Sequence, residues 1–193
     1  MKTDIILAGV GGQGILSIAS ILGEAALMDN LYLKQAETHG MSQRGGAVVS
    51  HFRISDKIIY SDLIPQGTAD LILAVEPMEV LRYLPFLKAD GYIVTNTTPF
   101  QNIANYPNPC EIIAEVQKQP RYVAIDADSI AGDIGNKKVL NMVMLGAATP
   151  FIQIAPEKIE DGIKNVFDKK GAEIVKLNLN AFWTGRQFAL KNL

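Results

Sequence analysis

A strand, a glycine-rich turn and a helix follow one another at the start of the chain, and this order constrains the fold more than any other feature. The apolar run Ile5–Ala8 predicts a buried strand over residues 4–9, and Gly9-Val10-Gly11-Gly12-Gln13-Gly14 follows directly. A helix over residues 12–29 is predicted by apolar residues at helical spacing: Ile15, Ile18, Ala19, Leu22, Ala26 and Leu27. Such a turn presents backbone amides and a helix N-terminus to an anion, so we expect an α/β fold with a phosphate-type site.

The spacing Gly9-x-Gly11-x-x-Gly14 also matches the dinucleotide-binding pattern, and its place between a strand and a helix is the right one. A dinucleotide site needs an acidic residue near the end of the second strand, where Glu37 lies close to the expected position. The alternative is that the glycines only permit tight packing of the helix on the strand. From this motif alone, a phosphate-type site, a dinucleotide site and a purely structural turn all remain open.

A second glycine turn, Thr38-His39-Gly40-Met41-Ser42-Gln43-Arg44-Gly45-Gly46, follows a short strand predicted at residues 32–36. Arg44 offers a planar guanidinium that suits a carboxylate or a phosphate. His39 can donate or accept near neutral pH, and Gln43 adds an orienting amide. The cofactor-binding candidates from the two turns are Gly9, Gly11, Gly12, Gln13, Gly14, His39, Gln43, Arg44, Gly45 and Gly46. A solvated surface turn is the structural alternative.

The remaining pattern predicts one domain over residues 1–193, a single three-layer α/β/α domain with a mostly parallel sheet and an inserted antiparallel β-hairpin. The hairpin is expected from strands at 47–54 and 57–60. Further strands are expected at 69–75, 92–96 and 122–126, with a turn at Asp90-Gly91 and a loop over 97–110. Helices are expected at 77–87, 112–119, 127–133, 137–148, 156–169 and 178–190. Asp70 and Glu76, which flank a core strand, are expected to be solvated.

Composition excludes several classes of protein. The 193 residues are 48% hydrophobic and 20% charged with a net charge of −2, and no clustered basic face for nucleic acid is evident. No apolar stretch approaches the roughly 20 residues of a membrane span, and no signal pattern precedes the first strand, so we expect a cytoplasmic protein. Cys110 is the single cysteine, expected in a loop with a structural or incidental role.

The two motifs GVGGQGI (Gly9–Ile15) and ETHGMSQRGGAVVSHFR (Glu37–Arg53) together resemble the gamma-type subunit of 2-oxoacid:ferredoxin oxidoreductases. The second motif is most similar to the beta subunit of the indolepyruvate enzymes in this family. The resemblance implies oxidative decarboxylation of a 2-oxoacid with coenzyme A, giving an acyl-CoA, CO2 and two electrons for ferredoxin. It also implies that Gly9–Gly14 lies near a coenzyme A phosphate or a partner's active site, with His39, Gln43 and Arg44 at the entrance or interface.

This chemistry needs thiamine diphosphate with Mg²⁺ and iron–sulfur clusters, and the chain offers ligands for neither. One cysteine cannot ligate a cluster, and the single Gly-Asp pair, Gly132-Asp133, lacks the thiamine diphosphate spacing. We therefore expect no catalytic residue and no metal ligand in this chain. A larger partner subunit is expected to carry these cofactors and to pass electrons to ferredoxin.

Other functions remain open from the sequence. The 2-oxoacid could be an aryl pyruvate, pyruvate, 2-oxoglutarate or a branched oxoacid. A free-standing NAD-dependent oxidoreductase would place Glu37 on a ribose hydroxyl. A structural module without a ligand would form a homodimer through the hairpin.

Overall fold

The computed structural model describes residues 1–40, 45–101 and 103–193, with the backbone alone at His39. These residues form a six-stranded sheet in the order β2-β3-β1-β4-β5-β6. The strands are β1 (Lys2–Val10), β2 (Tyr32–His39), β3 (Ala47–Ser55), β4 (Ala69–Ala74), β5 (Leu87–Asn96) and β6 (Tyr122–Ile125). Strand β3 is antiparallel to both β1 and β2, while β1, β4, β5 and β6 pair in parallel. In the described residues, β3 runs opposite to the other five strands, which all point the same way. This arrangement confirms the expected mixed sheet.

Seven α-helices cover the two faces of the sheet in the described residues. They are α1 (Ile15–Met28), α2 (Pro77–Tyr83), α3 (Pro109–Gln117), α4 (Ala127–Asp133), α5 (Leu140–Ala148), α6 (Pro156–Phe167) and α7 (Ala172–Lys191). Alternate residues of β1 enter different clusters: Ile5 and Leu7 pack under α1 and α5, and Ile6 and Ala8 pack on the α2 side. The sheet is therefore buried on both faces, and the three-layer architecture is confirmed. No helix of the described residues is long and apolar enough to cross a membrane.

The predicted hairpin is wrong in its strands. Strand β3 pairs with the preceding β2, from Tyr32↔Ser55 to His39↔Val48, and residues 57–60 form no strand. The segment after β3 is held instead by Arg53, whose Nη1 donates to the carbonyls of Ser61 (3.0 Å) and Leu63 (2.9 Å). Its main-chain groups are thus partly satisfied by a side chain, which period-two patterning cannot reveal.

Four other details of the secondary structure differ from expectation. The predicted turn at Asp90-Gly91 lies within β5, and the helix predicted to reach residue 87 ends at Tyr83, before a 3₁₀ turn at Leu84–Phe86. Helix α7 begins at Ala172, six residues earlier than predicted, and Cys110 lies in the first turn of α3, where it is exposed. Proline at the start of α3 is tolerated there because its missing N–H is not needed in the first turn.

Candidate functional site

The two glycine-rich turns lie against each other at the carboxyl end of β1. The amide of Gly11 donates to the carbonyl of Gly46 at 2.8 Å, and the amide of Gly45 donates to the carbonyl of Gly11 at 3.4 Å. Gly40 donates to the carbonyl of Ala47 at 2.9 Å, which closes the second turn at its base. Topology explains the contact, since β3 leaves the second turn and runs directly beside β1.

Gly12 and Gly14 have φ values of 101° and 81°, which L side chains rarely adopt, so glycine is required for this turn. Gln13 braces the turn from within, because its Oε1 accepts from the amide of Val10 at 2.8 Å. Gly9 is a packing position, since a Cβ there would lie 2.9 Å from both Gln13 Oε1 and Ile15 Cδ1.

Helix α1 begins at this turn without a side-chain cap. Its N-cap, Gly14, supplies no side-chain acceptor, so the first amides of α1 are available to an anion. Asn141, at the start of α5, donates from Nδ2 to the carbonyl of Gly14 at 3.3 Å. This contact fixes the turn to a helix more than a hundred positions away in the chain.

A cleft of about 580 Å³ opens beside Gly12–Gly14. It combines lysines and amides near the turn with apolar side chains further away, and its lining includes Lys138, Asn141, Lys170, Ile174, Leu177 and Asn178. A second cleft of about 300 Å³ is also lined by Gly12 and Gln13, together with Phe100, Asp128 and Lys137. Positive charge, open amides and an apolar wall suit an elongated ligand with an anionic end.

The cleft residues are ones that sequence reasoning missed. Lys138, Lys170 and Asn141 lie in the C-terminal half, where no local motif marks them. The signal available in the sequence was the pair Lys137-Lys138 just before α5. Only the tertiary fold shows that this pair lies near the first glycine turn. Among the predicted site residues, Gly9, Gly11–Gly14, Gly45 and Gly46 are brought together. Gln43 and Arg44 lie outside the described residues, as does the side chain of His39.

Glu76 corrects an expectation at the same edge of the sheet. It follows β4 and is fully buried, not solvated. Its Oε2 accepts from the amide of Glu79 at 3.2 Å, and its Oε1 accepts from the hydroxyl of Tyr106. Burial and the adjacent Glu76 carboxylate raise the pKa of the Tyr106 hydroxyl well above its usual value. The pair therefore ties the segment before α3 to the sheet as a structural contact.

Comparisons with known proteins agree with this architecture. The chain is 36% identical to indolepyruvate oxidoreductase subunit IorB of Pyrococcus horikoshii, with 98% of this chain and 97% of that protein aligned. It is 33% identical to 2-oxoglutarate synthase subunit KorC of Methanothermobacter marburgensis over 99% of this chain and 98% of that protein.

A solved structure shares the fold. The 2-oxoglutarate:ferredoxin oxidoreductase of Magnetococcus marinus, with 2-oxoglutarate, coenzyme A and succinyl-CoA bound, superposes with a TM-score of 0.80 at 24% identity. All of this chain is covered, and it spans 31% of the length of that chain. The fold is thus one part of a longer polypeptide in that enzyme.

A family model also covers nearly the whole sequence. The model described as pyruvate ferredoxin/flavodoxin oxidoreductase matches residues 4–188, which include both glycine turns and the clefts beside them. The resemblance carried by the two motifs is therefore confirmed over the length of the domain. The chain belongs to the pyruvate ferredoxin/flavodoxin oxidoreductase family.

Proposed function

We propose that this chain is the accessory subunit of an oxidoreductase that converts an aryl pyruvate such as indolepyruvate, with coenzyme A, into an acyl-CoA and CO2. Two electrons pass to ferredoxin in this reaction. The observation that carries the proposal is the 36% identity to an indolepyruvate oxidoreductase subunit over nearly the full length of both chains. The KorC relative supports 2-oxoglutarate as the second candidate substrate.

The proposal places thiamine diphosphate, Mg²⁺ and iron–sulfur clusters in a larger partner subunit. One cysteine supplies too few thiolates for a cluster, and the chain has no Gly-Asp-Gly sequence for thiamine diphosphate. Ferredoxin would then be reduced through the complex, and not by this chain alone. A cytoplasmic location stays a prediction.

Coenzyme A is the ligand we propose for the 580 Å³ cleft beside the glycine turn. The uncapped start of α1 and the ammonium groups of Lys138 and Lys170 suit its phosphates. Ile174 and Leu177 offer an apolar wall to its pantetheine chain. In the assembled enzyme, bound coenzyme A would supply the thiol that receives the acyl group, while this chain would hold its anionic end.

Reconstitution tests the subunit assignment. The purified chain alone should show no 2-oxoacid oxidation, and it should co-purify from its native source with a large cluster-containing protein. The complex should oxidise indolepyruvate faster than pyruvate, 2-oxoglutarate or a branched oxoacid. Turnover by the single chain would overturn the accessory role, and a preference for 2-oxoglutarate would move the proposal to that substrate.

Two lysine variants test the coenzyme A site. Lys138→Ala should raise the KM for coenzyme A in the reconstituted complex about tenfold, because one charge-assisted phosphate contact is lost. Lys118→Ala is a matched control, since Lys118 lies at the end of α3 and pairs with Glu115 on the surface. Equal KM values for the two variants would remove coenzyme A from this cleft.

Arg44→Ala addresses the second turn, whose residues 41–44 lie outside the described part of the chain. We expect this variant to reduce activity of the complex more than it lowers the melting temperature. A parallel loss of folding would instead support a structural role for Arg44.

The sheet order disfavours the NAD-dependent alternative. Glu37 lies on β2, which is separated from β1 by the whole of β3, about two strand spacings of roughly 4.8 Å each. A dinucleotide fold places the acidic strand next to β1, where its carboxylate reaches the ribose. Tight binding of NADH, measured by fluorescence, would revive this alternative.

A further inference from the structure

Two asparagine side chains are buried in the wall of the 580 Å³ cleft. Asn141, the second residue of α5, is 7% exposed, and Asn178, in the second turn of α7, is 4% exposed. Asparagine is mostly found on protein surfaces, and a buried polar group is normally hydrogen-bonded. Two buried asparagines that line one cleft therefore call for a physical reason.

The amide nitrogen of each side chain is already used within the chain. Asn141 Nδ2 donates to the carbonyl of Gly14 at 3.3 Å. Asn178 Nδ2 donates to the carbonyl of Ile174, one turn earlier in the same helix, at 2.7 Å. These bonds fix the orientation of both side-chain amides, so the oxygen Oδ1 is the end that remains for another group.

The two Oδ1 atoms are acceptors without a donor. In the part of the chain that the structure describes, no N–H or O–H group donates to Oδ1 of Asn141 or of Asn178. Neither oxygen is sealed inside the protein, so each reaches the cleft that its residue lines. A ligand that fills the cleft displaces solvent from both oxygens, and it loses affinity unless it donates to them itself.

The other groups in the cleft define the rest of the ligand. The uncapped start of α1, with Lys138 and Lys170, suits an anionic end. Ile174 and Leu177 lie on the same helix as Asn178, so an apolar chain against them passes close to the Asn178 oxygen. A plain alkyl chain has no donor for that oxygen, whereas a chain with secondary amides has one.

We propose that Asn141 and Asn178 determine the specificity of this cleft, by accepting hydrogen bonds from the N–H groups of a phosphate-bearing chain that contains secondary amides. The phosphate of such a ligand lies at the start of α1, and its chain runs past Asn141 towards the apolar wall on α7. An alkyl phosphate is rejected, because a site built to bond a donor leaves its own buried groups unpaired with an analogue that lacks one.

This inference rests on the proposed function, because coenzyme A is the ligand proposed for the cleft and its pantetheine chain contains secondary amides. It goes further by naming the two residues that distinguish such a chain from other phosphate ligands. Binding of a phosphate at the start of α1 needs neither asparagine.

Two ligands test the selection on the wild-type full chain, without any mutation. 4′-Phosphopantetheine carries a phosphate and secondary amides, and octyl phosphate carries a phosphate and an alkyl chain without amides. Isothermal titration calorimetry should give a dissociation constant for 4′-phosphopantetheine at least about tenfold below that for octyl phosphate.

Asn178→Leu and Asn141→Leu each remove one acceptor at similar side-chain volume. Each should weaken binding of 4′-phosphopantetheine about tenfold. Neither should weaken binding of octyl phosphate, because leucine gives an alkyl chain an apolar neighbour. The ratio of the two dissociation constants is therefore the quantity that the variants change.

Asn192→Leu is the matched control. Asn192 Nδ2 donates to the carbonyl of Phe188 at 2.8 Å, which is the same bond to the preceding turn that Asn178 makes. The Asn192 side chain is exposed at the C-terminal end of α7 and does not line the 580 Å³ cleft. This variant should leave both dissociation constants unchanged.

Three results would overturn the proposal. They are equal affinity of the wild-type chain for the two ligands, a preference for 4′-phosphopantetheine that survives in both cleft variants, and an equal loss of both ligands in these variants. The last result would mean that the asparagines only maintain the shape of the cleft. If a variant does not fold, as judged by circular dichroism, the comparison of ligands on the wild-type chain decides.

This inference and the proposed function fail in different ways. A chain that binds the two ligands alike, in a complex that still oxidises a 2-oxoacid with coenzyme A, would remove the role of the asparagines and keep the function. A chain that selects 4′-phosphopantetheine through Asn178, in a complex without 2-oxoacid oxidation, would do the reverse.

Discussion

The amide of Gly11 donates a hydrogen bond of 2.8 Å to the carbonyl of Gly46, and this bond joins two motifs that are 35 residues apart. Each glycine turn is therefore stabilised by main-chain hydrogen bonds to the other. Because β3 is antiparallel to both β2 and β1, the chain passes from β2 to β3 by a short connection, where an ordinary doubly wound fold uses a crossover helix. The first glycine turn therefore contacts the main chain of Gly45 and Gly46, and it also lines the 580 Å³ cleft.

Gly14→Ala should destabilise the chain by about 1–3 kcal/mol. Gly14 has a φ of 81°, and a methyl group there would also collide with the side chain of Asn141. Urea denaturation followed by circular dichroism measures the change. Gly132→Ala is the control, since Gly132 lies in α4 with open space around it and should gain up to about 1 kcal/mol. Equal stability of Gly14→Ala and wild type would remove the strain argument.

Gly185→Ala should loosen the packing of α5 on α7. A Cβ at Gly185 would overlap the carbonyl oxygen of Val143, and one at Gly146 would overlap that of Phe182, so the helices cross backbone to backbone. Overpacking of this kind costs about 1–3 kcal/mol or more, since main chain cannot rotate away as a side chain can. Thermal unfolding should show a lower Tm. An unchanged Tm would mean that α7 shifts freely on α5.

Arg53→Ala should cost about 1–3 kcal/mol, because the buried carboxylate of Asp4 loses its two-point partner and keeps the contact with Lys2 Nζ at 2.8 Å. Arg53 contacts Asp4 through Nε at 2.8 Å and Nη2 at 3.1 Å, and Asp4 is fully buried. Lys34→Ala breaks a surface pair with Asp62 at 3.3 Å and should cost less than about 1 kcal/mol. Denaturant titration of both variants compares the two losses, and similar values would contradict the role assigned to burial.

Local patterns predicted much of this fold, and contacts between distant segments account for what they missed. The strand–turn–helix at Ile5–Met28 follows from apolar periodicity and glycine positions. The conformation of the segment after β3 could not be predicted. It depends on hydrogen bonds from the Arg53 side chain and not on the segment's own alternation of apolar and polar residues. Similarly, Glu76 looks solvated in sequence because its partner, Tyr106, is 30 residues away. The glycine half of the candidate site is local, whereas Lys138 and Lys170 join it only in three dimensions.

His51 should make folding stability fall as the pH drops below about 6.5, the usual pKa of an imidazole in an unfolded chain. Its Nδ1 accepts from the amide of Ile64 at 3.1 Å, which requires the neutral ring. Burial, and then the charge of Arg53, lower the pKa of His51 below its usual 6.5. Because the unfolded chain binds this proton more readily, the contribution is full above pH 6.5 and is lost as pH falls through the folded-state pKa.

His51→Asn isolates this effect, since the Asn side chain can accept the same amide and does not titrate. Wild type should lose about 0.5–1.5 kcal/mol relative to the variant between pH 7.5 and pH 5, the net worth of one hydrogen bond. Urea midpoints measured across this range compare the two proteins, so other titrating groups such as Glu79 cancel. Parallel pH profiles of the two proteins would contradict the prediction. They would show that protonation of His51 does not destabilise the folded chain through the loss of its bond to Ile64.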